Sequence, residues 1–285
     1  MTPFETGYAD VRGLRMYYEL HGPADAPPLV LLHGAYMSTG TFGPLLPGLS
    51  EHRRVIVPDL QGHGRTTDAD RPITYEGMAD DVAALLDQLG IGPADVVGYS
   101  MGAGVALQLA VRHPRLVRAL VPISCSYRHD GMQPALLEFV PSITPELFAG
   151  SPFEQTYTEI APDPSRFPVL VEKLRTLDMT PFAWPEIAEI PAPVLVVVGD
   201  GDCVTPEHAV EMLRLLGGGG MGDMAPPARN RLAILPGTNH FMPPGRGMLD
   251  RHAWLLPMIT DFLDGADEAD GPAGEQEPEA ASAAQ

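Results

Sequence analysis

Basic side chains are scarce in this sequence. Its 285 residues include 18 Lys and Arg against 37 Asp and Glu, which gives a formal net charge of −19. Part of this excess lies near the C-terminal end, because the chain from Asp261 onward contains acidic residues but no Lys or Arg. Phosphate backbones and anionic lipid surfaces repel a protein of this charge. The composition therefore argues against nucleic acids and membrane surfaces as partners.

Cysteine is also rare. Only Cys125 and Cys203 occur, without a Cys-x-x-Cys pair, so no disulfide framework is expected. No cluster of His, Cys and Asp has the spacing of metal ligands, and we predict no metal site. The sequence has no apolar run long enough to span a bilayer, and its first residues lack the basic and apolar parts of a signal peptide. We expect a cytoplasmic protein with two free thiols.

Short continuous apolar runs alternate with helical patterns along the chain. Such runs are typical of strands that are buried on both faces of a sheet. The clearest helix has apolar residues at i, i+3, i+4 and i+7 from Val82 to Leu89, and Gly90 ends it. After an N-terminal hairpin, the predicted strands are residues 29–32, 54–58, 95–97, 116–123, 193–198 and 232–235. The alternation predicts an α/β fold, with a mostly parallel central sheet and helices on both faces.

The pattern changes between residues 125 and 190. Prolines are frequent there, and short helical pieces alternate with loops without a sheet strand. We interpret 125–190 as a small helical lid inserted into a core that consists of residues 1–124 and 191–264. Residues 265–285 are acidic, rich in Pro, Gly and Ala, and free of aromatic residues, so we predict a disordered tail.

The sequence Gly98-Tyr99-Ser100-Met101-Gly102 lies between a predicted strand and a predicted helix. Strand, Gly-x-Ser-x-Gly and helix make the arrangement called a nucleophile elbow, in which a sharp, strained turn pushes the serine hydroxyl outward. Larger side chains two positions on either side would collide with the neighbouring strand and helix, which explains the two glycines. Ser100 is therefore a candidate nucleophile.

A serine hydroxyl needs an adjacent base, and the base needs an acid to orient it. The carboxyl ends of parallel strands meet at one edge of a sheet, so these partners are expected in loops that follow strands. Two later loops have suitable residues, Gly199-Asp200-Gly201-Asp202 and Pro236-Gly237-Thr238-Asn239-His240. The resulting order Ser, Asp, His is the one expected for the elbow arrangement.

Together these segments resemble the α/β-hydrolase superfamily. The matching segments are His33-Gly34, Asp59-x-x-Gly62-His63-Gly64, Gly98-x-Ser100-x-Gly102, Gly199-x-x-Asp202 and Gly237-x-x-His240. They extend over residues 29–262 apart from the lid. The resemblance implies that Ser100 is the nucleophile, His240 the general base and Asp202 the acid.

Asp200 is the rival acid in the same loop. Asp202 is favoured because the acid is expected beyond the turn that residues 199–201 make. Some members of the superfamily have the acid after the preceding sheet strand, but at that place this chain has Ser124-Cys125-Ser126. Asp202 is therefore the predicted acid.

The oxyanion that forms during attack requires two N–H donors. The amide of Met101 follows the nucleophile directly and begins a helix, whose dipole favours negative charge. The second donor is expected in the loop after strand 29–32, where we choose the amide of Ala35, with Tyr36 as the second choice. The candidate substrate-binding residues are Tyr36, Tyr99, Tyr127, Trp184 and Phe241.

These expectations predict a serine hydrolase of the carboxylesterase or lactonase type, which acts without a cofactor. It would cleave a small carboxylic ester, lactone or thioester through an acyl-enzyme on Ser100. A serine nucleophile argues against epoxide and alkyl-halide hydrolysis. The alternatives are a carbon–carbon bond hydrolase, a perhydrolase, a biosynthetic acyl-transfer or cyclising enzyme with the same three residues, and a non-catalytic small-molecule-binding protein. The sequence leaves open whether the chain is a monomer or a homodimer.

Overall fold

A sheet of eight strands lies at the centre of the computed structural model, which describes residues 4–224 and 229–266. Its strands are β1 Glu5–Val11, β2 Leu14–His21, β3 Pro28–Leu32, β4 Arg54–Pro58, β5 Ala94–Tyr99, β6 Val117–Ile123, β7 Leu195–Gly201 and β8 Arg231–Asn239. Across the sheet the order is β1-β2-β4-β3-β5-β6-β7-β8. The last strand is longer than the sequence predicted.

The sheet is mostly parallel. β1 and β2 form an antiparallel hairpin at one edge, and β2 is also antiparallel to β4. The remaining neighbours, from β4 across to β8, pair in parallel. Arg12 and Gly13 make the hairpin turn with φ values of 48° and 85°. Both the predicted hairpin and the predicted parallel sheet are confirmed.

Helices cover both faces of the sheet. The α-helices are α1 Leu46–Leu49, α2 Tyr75–Gln88, α3 Met101–Arg112, α4 Pro134–Phe139, α5 Pro152–Ile160, α6 Phe167–Met179, α7 Pro206–Leu215 and α8 His252–Asp264. Alternate side chains of a strand face opposite sides of the sheet. Val30 and Leu32 of β3 belong to a buried cluster with α2, α3 and α7, whereas Leu29 and Leu31 belong to one with α1 and α8. The predicted α/β architecture is therefore confirmed.

Residues 125–190, which we call the inserted segment, connect β6 to β7. This segment is described throughout, and it contains α4, α5, α6 and short 3-10 turns but no strand of the sheet. Its Leu170 and Trp184 are part of the same buried apolar cluster as Val96 of β5. The division into a core and a lid stays a prediction, because one cluster joins both parts.

The helices of the described residues are too short or too polar to cross a membrane. The final helix, α8, ends at Asp264 and buries Leu255, Ile259 and Phe262, as their spacing predicted. The predicted tail over 265–285 lies outside the described residues except for 265 and 266.

Candidate active site

Ser100 occupies a strained turn between β5 and α3. Its φ of 55° and ψ of −120° lie in a region that residues with side chains rarely adopt. A Cβ added at Gly98 would overlap the backbone of Gly102 and Ala103, and one added at Gly102 would overlap the carbonyl of Leu32. The predicted elbow geometry is confirmed, and steric exclusion is the reason for both glycines.

Ser100, His240 and Asp202 form a continuous hydrogen-bonded chain. Ser100 Oγ lies 2.9 Å from His240 Nε2, and His240 Nδ1 lies 2.8 Å from Asp202 Oδ1. The three residues follow or end β5, β8 and β7, which are parallel strands with their carboxyl ends at the same edge of the sheet. With Nδ1 donating to the carboxylate, Nε2 accepts the serine hydroxyl proton, which is the tautomer that a base needs.

Asp202 is buried, and both of its oxygens have partners. Oδ2 accepts hydrogen bonds from Ser124 Oγ at 2.5 Å and from the Gly199 amide at 3.1 Å, and Oδ1 accepts from the Cys203 amide at 2.7 Å. Burial by itself would raise the pKa of Asp202, but the hydrogen bond and charge of His240, aided by Ser124 and Gly199, hold this pKa below its usual value. The carboxylate is thus ionised and fixed in orientation.

Asp200 has a different environment from Asp202. It is exposed and accepts a hydrogen bond from the Thr238 amide at 3.1 Å. Asp202, and not Asp200, is the loop carboxylate that is hydrogen bonded to His240. Sequence reasoning missed Ser124 as a partner of this carboxylate, although its place directly after β6 marked it as a residue of the same sheet edge.

Tyr99 lies behind His240. The two rings stack with their centroids 5.2 Å apart, and the Tyr99 hydroxyl donates to the backbone carbonyl of His240 at 2.9 Å. Tyr99 is buried, and it borders a neighbouring pocket instead of the cavity at Ser100. The structure therefore places this predicted substrate-binding residue where it supports the imidazole.

Two backbone amides near Ser100 have no acceptor. Within residues 4–224 and 229–266, the amides of Met101, at the start of α3, and of Ala35, after β3, make no hydrogen bond to another group of the chain. His33 fixes the Ala35 loop, since Nδ1 donates to the Gly34 carbonyl at 2.8 Å and Nε2 accepts from the Leu60 amide at 3.0 Å. Both amides are thus available as the predicted oxyanion donors, and their role stays a prediction.

A cavity of about 370 Å³ opens onto Ser100 and His240. Apolar side chains of the inserted segment form much of its wall, namely Met132, Leu136, Phe139, Val140, Ile143, Leu147, Phe148, Phe153, Phe182 and Trp184. Among the predicted substrate-binding residues, Tyr36, Trp184 and Phe241 line this cavity.

Tyr127 does not line the cavity, and this expectation is corrected. Its ring stacks on His208 with the centroids 4.7 Å apart, and its hydroxyl donates to Glu211 at 2.7 Å. Both partners belong to α7. The Tyr127 side chain therefore packs against α7 and not against the cavity at Ser100.

Sequence reasoning missed two polar residues in the cavity wall, Asp178 and Tyr75. Asp178 lies in α6, seven residues after the buried Val171 and four after the buried Leu174. An acidic residue on the apolar stripe of an amphipathic helix was the signal that could have identified it.

Asp202, Cys203 and His240 have ligand atoms within 4.8 Å of one another. This group overlaps the hydrogen-bonded chain, where His240 Nδ1 and Asp202 Oδ1 already bind each other. Burial and the charge of Asp202 raise the pKa of the Cys203 thiol, so that it stays protonated. We therefore assign these atoms to the hydrogen-bonded chain and not to a metal ion.

Known proteins resemble the chain in sequence and in fold. The mouse sn-1-specific diacylglycerol lipase ABHD11 is 37% identical over 121 residues, a match that covers 41% of this chain and 39% of the lipase. The crystal structure of the enol-lactonase from Burkholderia xenovorans superposes with a TM-score of 0.67 at 22% identity, covering 90% of this chain and all of the lactonase. At this identity, the superposition is evidence for the fold alone.

A third relative matches over a greater length. The magnesium-chelatase 30 kDa subunit of Rhodobacter capsulatus is 33% identical over 218 residues, which cover 66% of this chain and 75% of that protein. The family model described as alpha/beta hydrolase fold matches residues 27–166. With the parallel sheet and the serine elbow already described, these matches show that the chain belongs to the α/β-hydrolase fold family.

Proposed function

We propose that this chain is a serine hydrolase that cleaves a small carboxylic ester, lactone or thioester. The observation that carries the proposal is the hydrogen-bonded chain from Ser100 through His240 to Asp202, which opens onto an apolar cavity. Membership in a family of hydrolases, including a relative named as a lipase, supports the same reaction type.

In the first step, Ser100 Oγ forms a bond to the substrate carbonyl carbon while His240 Nε2 takes its proton. The Asp202 carboxylate stabilises the resulting imidazolium through the hydrogen bond from Nδ1. The carbonyl oxygen becomes an oxyanion, which the amides of Ala35 and Met101 would bind. Losing one such donor typically costs about 100- to 1,000-fold in turnover.

In the second step, the tetrahedral intermediate collapses. The bond from the carbonyl carbon to the alcohol or thiol breaks, and His240 gives its proton to the departing oxygen or sulfur. A water molecule then loses a proton to His240 and attacks the acyl-enzyme. When this second intermediate collapses, the carboxylic acid leaves and Ser100 regains its proton.

The cavity supports a modest, largely apolar substrate, because aromatic and aliphatic side chains supply most of its wall. In this proposal the inserted segment serves as the lid of the site, and the rest of residues 1–264 as the catalytic core. We also propose a cytoplasmic location, as expected from the sequence.

The test is intact-protein mass spectrometry after reaction with a serine-reactive fluorophosphonate. The phosphonyl group would bond to Ser100 Oγ as fluoride leaves and His240 takes the proton. We expect one adduct on the wild type and on the control Asp200→Asn, and none on Ser100→Ala. A folded wild type without an adduct would contradict the proposal. A panel of esters, lactones and thioesters would then define the bond that is cleaved.

A second candidate function is a non-catalytic role in a larger assembly. The name of the Rhodobacter relative, a magnesium-chelatase subunit, favours it. The same labelling experiment separates the two candidates, because a non-catalytic protein does not need an activated serine. Efficient labelling of Ser100 together with hydrolysis of any ester in the panel would reject this second candidate.

A further inference from the structure

The apolar cavity contains one carboxyl side chain, that of Asp178 near the end of α6. Its wall otherwise consists of apolar, aromatic, thiol and hydroxyl residues together with His240, and no Lys or Arg is among the lining residues. An acidic side chain therefore faces a space that the fold has otherwise made hydrophobic. This placement is costly unless the charge is paired or hydrogen bonded.

Nothing in the described chain compensates the Asp178 carboxylate. Over residues 4–224 and 229–266 it makes no hydrogen bond or ion pair, and only its backbone carbonyl accepts a bond, from His129 Nε2 at 3.0 Å. The carboxylate also lies in the last turn of α6, where the helix dipole disfavours negative charge. Burial raises the pKa of Asp178 to about 7. The half-buried carboxylate thus faces the cavity without a partner from the described chain.

Two phenol hydroxyls in the cavity also have no hydrogen-bond partner in the described chain. The Tyr36 hydroxyl is buried without a hydrogen-bond partner, and the Tyr75 hydroxyl has none among the described residues. Burial raises the pKa of both phenols, and the nearby charge of Asp178 raises it further. The carboxylate and these two hydroxyls thus line one cavity, each without a hydrogen-bond partner from the described chain.

Aromatic rings adjoin these atoms. Phe182 stacks on Trp184 with the centroids 4.4 Å apart. The Tyr75 ring is tilted against Phe182 at 5.7 Å and meets Trp184 edge to face at 5.0 Å. All three residues line the cavity. Aromatic faces beside a carboxylate attract cations, because the ring quadrupole and the full charge act in the same direction.

We propose that Asp178, with Tyr36 and Tyr75, binds an ammonium group of the substrate, which makes the substrate an amine-bearing ester, lactone or thioester. The inference rests on the proposed hydrolysis at Ser100 and adds the chemical class of the substrate. A cation supplies the missing counter-charge, and its N–H groups donate to the carboxylate and the phenol oxygens. An anionic substrate would be repelled at the same position.

The kinetic test uses p-nitrophenyl esters of ω-amino acids of increasing length, each paired with the neutral alkyl ester of equal length. We expect the wild type to prefer the amine at the length that spans the cavity. In Asp178→Asn, kcat/KM for that ester should fall by about 10- to 100-fold, the usual value of a charged hydrogen bond, mainly through KM. The neutral ester of equal length is the reference, so the ratio of kcat/KM between the two esters should fall by this factor.

The control variant is Glu186→Gln, which removes a negative charge from an exposed residue of the inserted segment outside the cavity. It should leave both esters unaffected. Equal loss of activity on both esters in Asp178→Asn, or no preference for the amine in the wild type, would overturn the proposal.

A binding measurement separates this proposal from the hydrolase proposal. Calorimetry with hexylammonium and with hexanol needs no catalysis and can use Ser100→Ala. We expect hexylammonium to bind more tightly, and Asp178→Asn to remove that difference. If the amine binds but no ester is cleaved, the hydrolase proposal fails and the ammonium site stands. If the two ligands bind equally, the ammonium site is wrong whatever the hydrolytic activity.

Discussion

Two carboxylates in this protein, the buried Asp202 and the half-buried Asp178, have opposite surroundings. At the sheet edge, Asp202 has a partner for each oxygen, and its pKa is held low. In the cavity wall, Asp178 has no side-chain partner within the described residues, and burial raises its pKa to about 7. The first environment is built to keep a charge in one orientation. The second leaves a carboxylate open to the cavity, and the proposed ammonium site rests on this difference.

The difference follows from where each residue lies. The loops after β5, β7 and β8 meet because parallel strands end at the same edge of the sheet. The three residues proposed to carry out the reaction lie in these loops. The inserted segment contributes α6 and most of the aromatic wall of the cavity. Under the two proposals made above, residues at the sheet edge carry out the reaction and the inserted segment selects the substrate.

The largest expected effect is on the sheet edge. Ser100→Ala should lower kcat on the preferred ester by at least about ten-thousand-fold, because the nucleophile is removed. The melting temperature should stay near that of the wild type, since the hydroxyl faces the open cavity. Steady-state kinetics and a thermal melt check both points. Activity of Ser100→Ala near the wild-type level would show that another residue is the nucleophile.

The second test compares the two aspartates of the β7 loop. Asp202→Asn should lower kcat by about 1,000- to 10,000-fold, because the amide no longer fixes the imidazole in the required tautomer. Asp200→Asn should change kcat by less than about twofold, as expected for an exposed side chain away from reacting atoms. Kinetics on both variants decide the matter, and the reverse order would show that Asp200 is the acid.

A smaller effect is expected at Ser124, a positioning residue. Ser124→Ala removes a hydrogen bond to the charged Asp202, so kcat should fall by about tenfold. Because this hydrogen bond lowers the pKa of Asp202, its loss should raise that pKa, so the loss of kcat should grow as the pH falls. A uniform loss at every pH would instead indicate a packing defect.

The smallest expected effect is a gain in stability, whereas the substitutions described above lower kcat. Asp178→Asn should raise the melting temperature at pH 8, because it removes the charge of a half-buried carboxylate that has no partner in the described chain. Since the pKa is raised in the folded state, that state binds the extra proton, and wild-type stability falls as pH rises from about 4 to about 7. The phenols of Tyr36 and Tyr75 stay protonated over this range. Thermal melts of the wild type and of Asp178→Asn should therefore differ little at pH 4. A lower melting temperature of Asp178→Asn than of the wild type at pH 8 would contradict this reasoning.

Much of the sheet edge could be predicted from the sequence. Ser100, Asp202 and His240 each follow or end a strand with a clear apolar pattern, and parallel pairing then requires them to meet. Gly98 and Gly102 identify the elbow, because only glycine fits the close approach of β5, α3 and the chain after β3. Local pattern and topology together were sufficient for this region.

The cavity wall was less predictable. Tyr127 was expected at the substrate but turns toward α7, since its hydroxyl finds Glu211 there. Asp178 was not identified, because its importance depends on how α6 packs over the site and not on a spacing along the chain. Short proline-bounded helices have no pairing rule comparable to that of parallel strands, so their side-chain directions follow only from tertiary contacts.

The buried cluster that joins the inserted segment to the sheet has a consequence for protein engineering. Leu170, Leu174 and Trp184 are part of the same apolar interior as Val96 and Leu107. Replacing the whole segment with that of another family member would leave unfilled volume beneath it, and each lost core side chain typically costs about 2–5 kcal/mol. New substrate ranges are therefore better sought by single changes at wall positions than by segment exchange.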